Sequence, residues 1–572
     1  MVTIYNGYSH PQHFVARIPV FGINYDVFDY RGAKTTAEVF PSFNADQISY
    51  VVPGPFDLMF KATVPPLGYS SYFISIKSET GMNDTVTDER NFVQSVYCSG
   101  SVPGLQRMYG RLYGKRCSVS VPSLRQRRPL SINLGSNLKI NNDFFTIHFN
   151  RNGTMKSILD KRSGKLLNIS QQFFYYGAGP TLSYGRPSGA YVFQPGALKP
   201  VSENATNIVV SQFLGTLVEE MRQIFSPWVS QVIRLYKDKP LIEFEWTVGP
   251  IPLSNYGPNS HDPKEVITRY SSGISNQGEF YTDSNGHQSV RRKHPKMVMP
   301  DQFDNVSREF NLANATVFFP DQSFQQHNVV HSRRRNFQLT FSADKDESLS
   351  ANYYPVTRYI YIKDHDLAMA VINDRSQGGS SVKDGSIELM LHRRLAFDDS
   401  LGVEEVLNET ENGKGLVARG RHWLVIDSPT EITRVIPHLA MEMFYQPLMT
   451  FAPVEKAMNL NKQVSGLTRE LPRGINVLTL AAWENDQILL RLENYRTLDS
   501  NYQDRSAVVI DLKGLFSNFD VMSLEELNLS GGKLLRTRRR QPANDLKISL
   551  FNMEIRTFAC AIARKPDFKS NF

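Results

Sequence analysis

The chain has 572 residues, enough for about three or four domains at ~100–200 residues each. It is 41% hydrophobic and 21% charged, with 35 Phe and 25 Tyr to fill cores, the composition of a globular protein. The net charge of +8 invites a nucleic-acid reading, but the basic clusters are short and far apart (Arg125, Arg127 and Arg128; Arg333 to Arg335; Arg536, Arg538, Arg539 and Arg540) and match no nucleic-acid-binding motif, so no nucleic-acid partner is expected.

No apolar run approaches the ~18–20 residues of a membrane helix, and no membrane partner is expected. Met1 is followed at once by the strand-like VTIYNGYSHPQHFVARIPV, without a basic start, an apolar core or a cleavage site. The chain is therefore expected to lack a secretory signal of its own and to begin inside a longer protein. Residues 1–75 alternate as short strands with turn residues about every ten positions, which predicts a small β-sandwich. Residues 76–130, poor in periodicity and rich in Ser, Gly, Asp and Arg, read as a linker or irregular insertion. Cys98 and Cys117 lie in this segment and could form one bridge, whereas Cys560, in FACAIA, reads as a buried thiol.

From Leu138 strands resume around Asn-Gly and Ser-Gly turns and continue to about residue 430, a large sandwich assigned to residues 131–465. Glu243 and Glu245 alternate on one strand, ~7 Å apart, with Phe244 and Trp246 on the other face. A retaining glycosidase needs its two carboxyl groups ~5–5.5 Å apart, so this pair reads as structural or solvent-facing. Residues 293–335 look out of place among the strands; they hold His327 and His331, whose spacing of four fits two zinc ligands on a helix, but the segment has no helical pattern. Residues 352–399 form the most informative stretch: half-buried strands flank a loop, Asp374 to Gly385, that carries Arg375, Gln377, Gly378-Gly379 and two serines, a turn whose amides, hydroxyls and guanidinium could meet a polar ligand. Asp398 and Asp399 read as an ordinary acidic turn. Residues 431–465 read as a poorly periodic connection, and 466–572 return to strands as a C-terminal β-sandwich. The fold expected is all-β.

The string NDRSQGGSSVKDGSIELMLHRRLAFDD resembles the C-terminal half of the glycoside hydrolase family 38 α-mannosidases, the lysosomal type in particular. SGAYVFQP at 188–195, EFEWTVGPIP at 243–252, KEVITRY at 264–270, FYTDSNG at 280–286 and LPRGINVLTL near the end fall in the same order. The resemblance implies that the large sandwich is a mutarotase-like β-supersandwich and that residues 293–335 are an insertion. It implies an activity on terminal α-D-mannose of glycans, with mannose-containing glycans as partners, and a lysosomal or secretory location. Eight Asn-x-Ser/Thr sequons, at Asn83, Asn152, Asn168, Asn204, Asn305, Asn314, Asn408 and Asn528, fit that location.

Similar enzymes bind zinc through His and Asp, and attack with an Asp, from an N-terminal α/β domain opened by a His-x-Asp-x-Gly-Trp motif. Here no His is followed two positions later by Asp, and none of Trp228, Trp246, Trp423 and Trp483 follows a Gly. The expectation is that this chain carries no catalytic residue and no metal ligand, that the family's zinc would sit in a separate N-terminal catalytic domain acting as its partner, and that the chain alone is inactive. What the resemblance carries over is the rim: Tyr191 of the GAY string would contact the sugar, and Arg375 would contribute through its backbone or guanidinium. The plain reading of Tyr191 is a strand tyrosine packed between Ala190 and Val192. GAYVFQP in place of GAYIFRP, and DDSLGVEE in place of DDGRGVGE-like strings, imply a divergent member. Two alternatives stay open: a non-catalytic carbohydrate-binding module, and a truncated gene model.

Overall fold

The computed structural model describes residues 1–43, 56–76, 138–177, 187–202, 208–253, 263–293, 347–454, 461–484, 487–496, 507–532 and 546–565, together with the backbone of 94–98. The basic clusters, His327 and His331, Cys117, nearly all of the 293–335 segment, and Asn83, Asn204, Asn305 and Asn314 lie outside the described residues. The fold is all-β, in packed sheets.

The large sandwich is built of two antiparallel sheets. One has ten strands, in the order Gln288–Lys293, Glu279–Ser284, Tyr359–Lys363, Ala368–Asn373, Ala418–Asp427, Ile242–Val248, Val229–Tyr236, Val218–Ser226, Val209–Leu214 and Gln94–Cys98. The last of these falls in the stretch read as a linker and supplies an edge strand instead. The other has six strands, in the order Leu198–Pro200, Ser170–Gly177, Lys264–Ser271, Ser386–Arg394, Gln377–Ser380 and Tyr354–Val356. Alternation sends Ile242, Phe244, Trp246 and Val248 inward against Phe173, Tyr175, Val266, Tyr270, Ile387 and Leu389. A polar chain crosses this apolar layer: Gln171 donates to Thr268 Oγ1 (2.7 Å), and Gln231 donates to Gln171 and to Gln223 (2.6 Å each). Thus the two sheets are joined by hydrogen bonds as well as by packing.

Much of the outer face of the ten-stranded sheet is covered as well. Over one half lies the helix Pro429–Phe444, which buries Ile432, Ile436, Ala440 and Met443 against Tyr359, Tyr361, Ala370, Ile372 and Val425. This helix occupies much of what reads in the sequence as a poorly periodic connection over 431–465. Pro437 within it obscured the periodicity, yet Ser428-Pro429-Thr430-Glu431 is a capping signal: Ser428 Oγ accepts from Glu431 N–H at 3.3 Å, and Pro429 opens the first turn. After the helix, Leu448–Phe451 and Gln463–Val464 pair with Val2–Asn6 and Gly68–Ile76 of the N-terminal sandwich rather than with any strand of the large one. The C-terminal unit has its own core around Leu490, Leu492, Phe516 and Phe558. Cys560 is buried in it, and burial pushes its thiol up to about 12.

Over the other half of the outer face lies an ionic cluster. Arg234 Nε meets Glu220 Oε1 at 2.6 Å, and its Nη1 meets Glu243 at 3.2 Å and Glu245 at 2.7 Å. Arg222 pairs with Glu220 at 2.7 Å, and Arg17 of the N-terminal unit reaches Glu245 at 2.7 Å. Glu243 also accepts from Tyr236 OH (2.9 Å) and Trp423 Nε1 (3.0 Å). Glu243 and Glu245 are therefore structural, as their spacing suggests. Burial raises the Glu220 carboxyl, but the guanidinium groups of Arg222 and Arg234 outweigh it and hold it down to about 2.

Replacing Arg234 by Met should cost about 3–5 kcal/mol in urea unfolding, because carboxylates that stay buried lose their shared cation. For Glu220 the folded value lies below the ordinary 4.5. Its contribution is therefore fully present above pH 4.5 and is lost as pH falls from there towards 2. A pH series of melting temperatures should show the Glu220→Gln variant and the parent converging at the acid end of that window.

Candidate functional site

The outer face of the six-stranded sheet is set by register. Glu265 faces Arg393 and Arg269 faces Glu388 across neighbouring strands, so opposite charges sit side by side. Arg393 clasps Glu265 Oε1 through Nε (2.9 Å) and Nη2 (2.6 Å). Arg269 Nε meets Glu388 Oε2 at 2.9 Å, and Tyr176 and Tyr353 both donate to Glu388 Oε1. Burial raises the Glu265 carboxyl, opposed by Arg393.

The loop 187–197 closes over this face. Ser188 Oγ accepts from Gln194 N–H (2.7 Å) and meets Glu265 Oε2 at 3.1 Å, while Arg393 Nη2 donates to Val192 O at 2.7 Å. Phe193 inserts edge-on against Tyr353 and Tyr176, with ring centroids 4.8 and 5.7 Å apart. From the other side Asp399, fully buried, accepts from Tyr191 N–H (2.6 Å) and Val192 N–H (3.0 Å) through one oxygen. Gly189 is required here, since a Cβ would come within 2.6 Å of the Asp399 side chain. Asp399 is thus no ordinary acidic turn but the clamp of the loop.

This clamping presents Tyr191. The plain reading of it as a packed strand residue fails: its side chain is turned outward and the residue is 69% exposed, while its backbone is fixed. An exposed aromatic ring on a pinned loop offers a face and a hydroxyl at a defined place, with little left to order when a ligand arrives.

Arg375 is placed by a second set of contacts. Its guanidinium lies against Asp374 (3.1 Å) and 5.5 Å from the Trp246 ring, with the side chain about half exposed. Asp374 in turn accepts from Arg421 N–H at 3.1 Å. The segment after it, expected as a loop, is the strand Gln377–Ser380. Gly379 serves close packing there, because a Cβ would come within 2.7 Å of Val356 and 2.9 Å of Leu389. His422, which sequence reasoning passed over, holds this strand. Its burial, then the nearby Arg375 charge, lower it to about 3, so the ring stays neutral, accepts from Tyr270 OH at 3.1 Å and donates from Nε2 to Gln377 Oε1 at 2.9 Å. Only alternation marked His422 as inward-facing, and alternation does not give a role.

Gly379 lies opposite Leu389, and Glu265 opposite Arg393. Arg375 lies in the turn that joins Ala368–Asn373 of the ten-stranded sheet to Gln377–Ser380 of the six-stranded one, and Tyr191 on the loop above Glu265 and Arg393, so the two rest on separate supports. The two side chains offer a ring face, a phenol and a guanidinium. The carboxylates beneath that loop, Glu265, Glu388 and Asp399, are buried and occupied. Among the described residues no three His, Cys, Asp or Glu side chains converge as a metal-ligand set.

Comparison with known proteins gives these features a context. Residues 140–401 match the glycosyl hydrolases family 38 C-terminal domain, 474–558 the family 38 C-terminal beta sandwich domain, and 52–74 the lysosomal alpha-mannosidase-like central domain. The lysosomal alpha-mannosidase of Bos taurus is 32% identical over 99% of this chain and 48% of its own length, and that of Homo sapiens 31% over 99% and 49%. A probable alpha-mannosidase of Arabidopsis thaliana is 28% identical over 99% and 52%. The β-sandwich domains thus define the class, the C-terminal region of a glycoside hydrolase. The chain belongs to glycoside hydrolase family 38, with its lysosomal alpha-mannosidases among its relatives. It spans about half the length of the curated relatives it matches. A solved family 38 protein from Enterococcus faecalis overlays with a TM-score of 0.49 at 13% identity, over 98% of this chain and 57% of that one.

Asp399→Ala should free the Tyr191 and Val192 amides. Hydrogen exchange over 188–194 should speed up by about tenfold or more, the equivalent of ~1–3 kcal/mol of lost clamping, while exchange in the sheet cores stays put. Asp399→Asn, which keeps an acceptor, should restore part of the protection.

Proposed function

We propose that this chain is the C-terminal portion of a lysosomal-type α-mannosidase and that Tyr191 and Arg375 border its sugar site. The observation that carries the reading is the outward-facing Tyr191 on a loop whose backbone is pinned by Asp399. The ring face suits the C–H face of a pyranose, and the phenol and guanidinium suit its hydroxyls. Proton transfer and nucleophilic attack are assigned to an N-terminal catalytic domain of the family type, together with the zinc. The 572-residue chain contributes binding and orientation. Terminal α-mannose of glycans is the substrate proposed, and the lysosome the location.

Purified chain should not cleave an aryl α-mannoside, with or without added zinc; turnover by the chain alone would contradict the division of labour. Joined to the N-terminal half of the bovine relative it should become active, and Tyr191→Phe should then lower kcat/KM by the equivalent of about 1–3 kcal/mol. Arg375→Ala should have a smaller effect, because Asp374 and Asn373 hold that turn through other contacts. Unchanged kinetics in both variants would remove these residues from the site.

A further inference from the structure

A cleft of about 570 Å³ lies where three units meet, inside the ~300–1,000 Å³ range of small-ligand pockets. Its walls come from the strands Gln12–Val20 and Phe56–Val64 of the N-terminal unit, the turn 238–241 of the large sandwich and the helix Pro429–Phe444, with Arg473 of the C-terminal unit at one end. It opens beside the outer face of the ten-stranded sheet. Tyr191 stands off the outer face of the six-stranded sheet, so the thickness of the sandwich separates the two.

The lining is of two kinds. Phe14, Leu241, Val435 and Leu439 supply apolar surface. Most of the polar groups already have partners: Lys61 pairs with Asp238 at 3.1 Å, and Glu442 lies between Lys239 (3.7 Å) and His438 Nε2 (3.2 Å). Asp427 is held by Arg162 at 2.7 Å. Asp238, Asp427 and Glu442 are matched by Lys61, Lys239 and Arg473, so the cleft offers an anion no net positive charge. An apolar ligand would dry those pairs without replacing their bonds to water, at a cost. A ligand built of hydroxyl groups avoids that penalty, because each hydroxyl donates to a carboxylate oxygen and accepts from an ammonium. The apolar wall would then receive its C–H face.

We propose that this three-unit cleft is a binding site for neutral carbohydrate, a mono- or disaccharide unit of a glycan. The inference uses no residue of the Tyr191 rim and stands apart from the proposed function.

The test titrates the intact 572-residue chain with methyl α-mannoside and with a mannose disaccharide, read by saturation-transfer NMR and calorimetry. Binding is expected with the parent. It should weaken about tenfold in Lys239→Met, which removes a donor, and vanish in Val435→Trp, which fills the cleft. Both variants are checked for an unchanged thermal transition, and Phe14→Trp, which keeps an aromatic wall, should still bind. No saturation transfer to either sugar at millimolar concentration would overturn the proposal. So would a signal that survives both blocking variants, or displacement of the sugar by inorganic phosphate, which would mark an anion site.

Discussion

Most of the ten-stranded sheet is covered on both faces, and much of the molecule follows from that. Its inner side is closed by the six-stranded sheet, but its outer side carries Arg234, Glu220, Glu243 and Glu245 in one region and Tyr359, Tyr361 and Val425 in another. A buried guanidinium shared among carboxylates tolerates the loss of water only when every partner is present. The N-terminal unit completes the set with Arg17, and the helix Pro429–Phe444 covers the apolar region. Units that look separate along the sequence are thereby the two lids of one sheet.

A similar economy operates on the opposite side of the sandwich. Paired charges on the outer face of the six-stranded sheet, Glu265 with Arg393 and Arg269 with Glu388, neutralise each other and at the same time grip the loop above. With Asp399 closing from the other side, the loop backbone has little freedom, yet the Tyr191 ring is left in solvent. The rigidity belongs to the support and the exposure to the tip, an arrangement that lowers the ordering cost of the sugar contact proposed for Tyr191. Arg375 follows the same logic through Asp374, Trp246 and a neutral His422.

Much of the fold was legible because alternation is a strong signal wherever one face of a strand is dry. Phe244 and Trp246 inward with Glu243 and Glu245 outward follow from period two alone. The charges on Glu243 and Glu245 said nothing about Arg234, which lies one strand away and is recognised only by register. The helix was missed because Pro437 interrupts its stripe, although the Ser428 cap marked its start. Tyr191 was singled out through resemblance, and Arg375 through resemblance added to the polar composition of its loop. Their supports, Asp399 and His422, were not found at all: a buried carboxylate that bonds two backbone amides has the same local sequence as an exposed acidic turn.

The return of Leu448–Phe451 to the first strand has a consequence for how the protein is made. Thr3 pairs with Thr450, so the N-terminal sheet cannot be completed until the ribosome has passed the large sandwich. At about 5–20 residues per second that interval is on the order of 20–90 s. During it the Val2–Asn6 strand, although paired on one side with Gly68–Ile76, offers an open edge to any passing chain. The nascent N-terminal unit therefore carries an open strand edge that only the much later Leu448–Phe451 covers.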